Sequence, residues 1–148
     1  AVNLYEQDFY AWTQGQAQLL RDSAWEQLDI QNLAEEIEAL GRRERQELVS
    51  RLGVLLGHLL KWEFQPENQS KSWLATIREQ RRKIRKLLED NPSLKPYLPQ
   101  ACNDAYEDGL DLVIRETPLE YQQLPQVCPY SIDRVLANDF LPIRGLDD

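Results

Sequence analysis

"IQNLAEEIEALGRRERQELVSRLGVLLGHLLKW" (residues 30–62) decides the fold. Ile30, Leu33, Ile37 and Leu40 step by three and four, the spacing of one helix face. At 100° per residue, Leu48, Leu52, Leu55 and Leu59 fall within roughly 50° of that stripe. The two halves stay in phase across Gly41, so the spacing predicts one long helix of about 33 residues, bent or weakened at that glycine. Its apolar side chains from Ile30 through Trp62 are expected to line the core as a central spine. Gly53 and Gly57 lie together on the other side. A glycine inside a helix costs close to 1 kcal/mol, so the pair predicts close approach of a second backbone.

Helical periodicity continues on both sides of this spine. A first helix is expected over about 5–22, with Phe9, Trp12, Leu19 and Leu20 near one face and Gly15 weakening its middle. "FQPENQSKSW" (64–73) reads as a loop ending at Ser70 or Ser72, either of which can cap the next helix. That helix carries Trp73, Ile77, Ile84, Leu87 and Leu88 on one stripe; Arg78, Arg82 and Arg85 form the adjoining face, with Arg81 at its edge. "DNPSLKPYLP" (90–99) stops it, because proline lacks the backbone donor that a helix interior needs. A fourth helix is expected over about 98–116, then an extended connector, then a short helix over 132–138 capped by Ser131. No strand alternation or internal repeat is visible. The expectation is an all-α protein, a compact bundle of four to five helices around a long central one. Residues 1–148 read as a single domain with its core over about 4–138 and a fraying tail at 144–148.

Composition sets outer limits. With 42% hydrophobic residues the chain can bury a core, which excludes a disordered class. The most apolar run, Leu52 to Leu60, is far shorter than the roughly 20 residues of a membrane span. The opening residues show no basic run followed by an apolar stretch, so no leader is expected. Two cysteines without metal-ligand spacing, Cys102 and Cys128, suit reduced thiols in a cytoplasm.

The formal net charge is −8, unevenly spread. Residues 1–40 hold eight acids against one base and residues 104–148 ten against three, whereas 41–103 hold thirteen bases against seven acids. The sharpest piece is "KSWLATIREQRRKIRKLLED" (71–90), whose Lys71, Arg78, Arg81, Arg82, Arg85 and Lys86 are candidate anion ligands. Pairing with the acidic segments of the same chain is the first expectation for these cations. A second candidate cluster combines Glu36, Glu38, His58, Lys61, Trp62 and Trp73. His58, the only histidine, sits beside the apolar stripe and is expected to be a half-buried, hydrogen-bonded side chain; a catalytic base would need a tuning carboxylate and a nucleophile within reach. Trp62 and Trp73 bracket the loop with Lys61 and Lys71 beside them, an arrangement suited to cation–π contact. No metal ligand set, cofactor motif, phosphate loop or nucleophile elbow is present in the sequence.

The segments "LYEQDFYAW", "NLAEEIEALGRRERQEL", "LLGHLLKWEFQPENQSKSWLATIREQR", "LLEDNPSL", "AYEDG" and "CPYSIDRVL" closely resemble the bacterial family called domain of unknown function 29. The likeness runs in order over about residues 4–137. Positions that fit the family's pattern include Glu35, Glu36, Glu38, Gly41, His58 and Leu60, and further on Lys61, Trp62, Pro66, Ser72, Trp73 and Arg78. What the resemblance implies is an all-helical bacterial protein without an established activity, so no catalytic residue carries over.

The leading functional reading is an interaction or scaffold module that binds an acidic protein partner, with pairing of two copies left open. Polyanion or nucleic-acid binding through residues 71–86 is the alternative, disfavoured by the acidic overall charge. An enzyme using His58 with Glu36 or Glu38 ranks third.

Overall fold

The computed structural model describes residues 3–145. It contains six α-helices and, among the described residues, no strand: α1 (Leu4–Gln7), α2 (Phe9–Arg21), α3 (Ile30–Phe64), α4 (Lys71–Asp90), α5 (Leu98–Glu116) and α6 (Ile132–Leu136). The fold is all-α with a long helix, as the periodicity implies; α1 and α6 are each about one turn. The single long helix expected to pass through Gly41 is found: α3 runs through that glycine without interruption. The chain divides into two units, one ending at Arg43 and one beginning at Glu44.

In the first unit, the expected single helix over 5–22 is interrupted at Asp8, whose extended φ of −151° ends α1. The freed carboxylate accepts the Ala11 amide at 3.0 Å and so caps α2. Serine at position 23 closes α2 with a left-handed φ of 57°. Asp29 then starts α3. Its carboxylate accepts from the Trp12 indole N–H (3.0 Å) and the Asn32 side chain (2.8 Å), and its amide donates to Gln16 (2.8 Å). The Asn32 bond first, then that of Trp12, holds the Asp29 carboxyl below the usual carboxylate range. Tyr5 donates to Glu36 at 2.6 Å and packs edge-on against Trp12. Trp12 is the buried hydrophobic side chain of this unit among the described residues.

One expectation fails here. Ile30, Ile37 and Leu40 do not line a core; they are 67%, 66% and 57% exposed. The hairpin of α2 and α3 closes instead through the polar face carrying Asp29 and Glu36, which turns the apolar stripe outward.

The second unit holds the core. Leu48, Leu52, Leu55, Leu56, Leu59 and Leu60 of α3 are wholly buried. Ile77, Ile84, Leu87 and Leu88 of α4 join the same cluster, as do Ala101, Ala105, Tyr106 and Val113 of α5. Ser70 caps α4 by accepting the Trp73 amide, and Ser131 caps α6 through the Arg134 amide. The paired glycines behave as the spacing predicts. A Cβ placed on Gly57 would stand 3.2 Å from the Gly109 carbonyl oxygen, and one on Gly109 would stand 3.1 Å from the Gly57 amide nitrogen. Bare backbone on α3 therefore meets bare backbone on α5. At the C-terminal side, the Arg144 guanidinium stacks 4.0 Å from the Phe64 ring centre, so the expected fraying does not begin at 144; residues 146–148 of that tail lie outside the described residues.

Candidate functional site

Ser70 sets the start of α4, and its apolar stripe sets the rotation. Residues 77, 84, 87 and 88 are held in the core, which leaves the arc carrying Arg78, Arg82 and Arg85 exposed. The three guanidinium-bearing positions span about 10 Å of one helix face. Together with Arg81 and Asn138 they line a cleft of about 350 Å³. Arg85 donates to the Asn138 side-chain oxygen. A neighbouring hollow of about 270 Å³ shares Arg81 and Arg85 and adds Ile84, Leu88 and Leu136. The cleft is lined by arginines, and the neighbouring hollow combines these apolar side chains with Glu89 and Lys95.

The expectation that these cations pair with the chain's own acids is not met for Arg78 and Arg82, which form no ion pair among the described residues. Lys83 and Lys86, further round the exposed arc of α4, do pair, with Glu79 and Asp90. Lys86 lines a different hollow, beside Glu44, Glu47 and Asp90. Lys71 is exposed in the first turn of α4.

Arg81 has a different job from its neighbours. It is 3% exposed and donates to three backbone carbonyls: Val135 (2.8 Å), Phe140 (2.8 Å) and Arg134 (3.3 Å). These include orphan acceptors at the end of α6, so the guanidinium fork anchors the C-terminal segment. Burial lowers its pKa from the ordinary arginine value, and Asp139 opposes that shift.

The second candidate cluster separates. Glu36 accepts from Tyr5, and Glu38 is exposed, both in the first unit. His58, Lys61, Trp62 and Trp73 belong to the second. His58 Nδ1–H donates to the Val54 carbonyl at 2.8 Å, the i−4 bond of a helical side chain folded back on its own backbone. Desolvation by burial holds its pKa below the usual histidine value. The charges that act on it are those of Lys61 and Glu116.

Lys61 is 4% exposed; it pairs with Glu116 at 2.8 Å and lies 4.6 Å from the Trp73 ring centre. That hydrogen bond is the main reason the Glu116 carboxyl is held below the carboxylate range. The cation–π contact predicted near the loop is therefore present, made by Lys61 from inside the protein. Trp62 contributes its carbonyl, which accepts from Gln69 at 3.0 Å and closes the loop. Glu116 and Asn138 were not singled out from the sequence: both are polar residues far along the chain from their partners, with no motif around them.

Other reactive side chains are muted. Both thiols are free; burial pushes Cys102 up to about 11 and raises Cys128. Among the described residues no group of three or more His, Cys, Asp or Glu is placed to hold a metal, and no helix is long and apolar enough to cross a membrane.

The family model for domain of unknown function DUF29 matches residues 4–141, nearly the whole chain. The chain belongs to this family. The DUF29 match takes in α1 through α6 and every residue lining the arginine groove. No curated protein and no solved structure matches this DUF29 chain at a significant level.

Proposed function

We propose that this DUF29 protein is an interaction module that takes an acidic segment of a protein partner along α4. The observation that carries the reading is the cleft lined by Arg78, Arg82 and Arg85. Guanidinium groups gathered on one arc repel one another unless an anion joins them, and Arg78 and Arg82 have no carboxylate partner among the described residues. Arginine binds carboxylates in a two-pronged geometry, and three sites spread over about 10 Å suit a short run of acidic side chains. The apolar hollow next to the cleft has room for a hydrophobic residue flanking that run. A reducing bacterial cytoplasm fits the two free thiols.

Nucleic acid would find the same arginines, but a long polyanion must also approach a chain of net charge −8. Fluorescence anisotropy separates the readings, using a labelled peptide of alternating Glu and Leu and a labelled single-stranded oligonucleotide, each at low and high salt. The expected result is salt-sensitive binding of the peptide alone, weakened at least about tenfold in Arg78→Glu/Arg82→Glu. Binding of the oligonucleotide in its place favours the nucleic-acid reading. Binding of neither at low salt removes both.

A further inference from the structure

The helical hairpin of the first unit has a flat apolar side, and we infer that this side is the contact between two copies of the chain, which together close a four-helix bundle. Tyr5 meets Glu36 while Trp12 meets Asp29, so residue numbers rise on one arm as they fall on the other and the arms are antiparallel. On α2, Phe9 and Leu20 lie about 60–80° further round than Trp12; on α3, Ile37 and Ile30 lie about 100° further round than Asp29 and Glu36. The offsets have the same rotational sense. On antiparallel helices that places both pairs on one side of the hairpin.

Five large side chains open on this side or its edges: Phe9, Leu20, Ile30, Ile37 and Leu40, each between 45% and 67% exposed. At roughly 150–200 Å² per large side chain they leave about 500 Å² of apolar surface in water, as much as the largest patch on a typical monomer. A stable interface takes about 800 Å² from each partner, and the alanines and glycine between these residues supply surface toward that figure. Ala17, Ala34 and Gly41 also leave room for close helix approach, with nothing within 4 Å of a Cβ built on Gly41.

Charge selects the occupant. Asp29 and Glu36 face α2 and are hydrogen-bonded there, so they are turned away from the apolar side. A basic helix would find no acid at the centre of the patch to pair with. A second copy opposes apolar to apolar without burying a charge, and a two-fold contact of this kind is self-complementary. The hairpin has one buried hydrophobic side chain, Trp12, among the described residues, and pairing with another hairpin supplies the missing core. Ile30, Leu33, Ile37 and Leu40 provide the alternating three–four seam that helices use for such packing.

Light scattering on the whole chain tests this. The expected mass is twice 17.4 kDa at about 100 µM for the unaltered protein. Ile30→Asp/Ile37→Asp should weaken association at least about a hundredfold and return the mass to 17.4 kDa with helix content unchanged. Val127→Asp, an exposed position of the second unit, should remain a dimer. An unaltered protein that stays monomeric at that concentration overturns the inference, and so does a dimer that survives the double substitution. Hydrogen exchange on the unaltered chain is independent of any variant's folding: amides of 30–41 should gain at least about tenfold protection as concentration rises through the dimerisation range. Concentration-independent exchange across that range would also overturn it.

Discussion

Gly109→Ala should destabilise the protein, although alanine is the better helix former. An alanine methyl at a solvent-facing helix position would stabilise by about 1 kcal/mol relative to glycine. At position 109 that methyl would lie 3.1 Å from the Gly57 nitrogen, 3.3 Å from the Gly53 oxygen and 3.3 Å from the Leu56 Cβ. Two of the three neighbours are backbone atoms of α3, which cannot swing aside, so the helices must separate by a few tenths of an ångström. Forcing a methylene into a filled site costs typically 1–3 kcal/mol. With the upper figure set against the propensity gain, the net loss is about 2 kcal/mol. Gly57→Ala meets the Leu112 Cδ2 methyl at 2.9 Å, which can rotate away, and the Gly109 oxygen at 3.2 Å, which cannot; its expected loss is nearer 1 kcal/mol. Urea denaturation followed by far-UV circular dichroism reads these values, and a 2 kcal/mol loss lowers the midpoint by about 1 M. A midpoint for Gly109→Ala equal to or above that of the parent would refute the close crossing of α3 and α5.

Gly15→Ala, with nothing within 4 Å of the added Cβ, should instead stabilise the first unit by up to about 1 kcal/mol; a lower urea midpoint would contradict the open surface assigned to that position. Arg81→Met removes the donor from the buried Val135 carbonyl and the half-buried Phe140 carbonyl, while the Arg134 carbonyl keeps the Ala137 amide; it should cost about 3 kcal/mol, lowering the thermal midpoint by roughly 6–12 °C, with Arg81→Lys unable to restore it, and a change within 2 °C would show that the anchor is dispensable. His58 carries a depressed pKa, so between its folded and unfolded pKa values the unfolded chain binds the extra proton. Its contribution to stability is complete above about pH 6.5 and lost as pH falls through the folded value. Comparing denaturation midpoints at pH 7.5 and 5.5 should show a drop in the parent that is smaller in His58→Gln, while equal drops in both would place the titrating group elsewhere.

The properties legible in the sequence are those set by short-range physics. The 100° rotation per residue and the cost of glycine inside a helix are local, so the long helix, its continuity of phase across Gly41 and the close approach at Gly53 and Gly57 can all be read from residues 30–62. The caps at Ser70 and Ser131 are local too, since each accepts an amide three residues ahead. What tertiary structure decided is which face of each helix is covered. The stripe of Ile30, Ile37 and Leu40 has the same pattern as that of Leu48 to Leu59, yet only the second is buried, because the first unit closes on the polar bonds of Asp29 and Glu36. Arg81 and Arg82 are adjacent and chemically identical. One is drawn inward by carbonyls more than fifty residues away, and the other is left in a cleft without an ion-pair partner among the described residues. Periodicity assigns faces relative to one helix axis; the contacts that rank those faces come from distant segments whose positions no local pattern encodes.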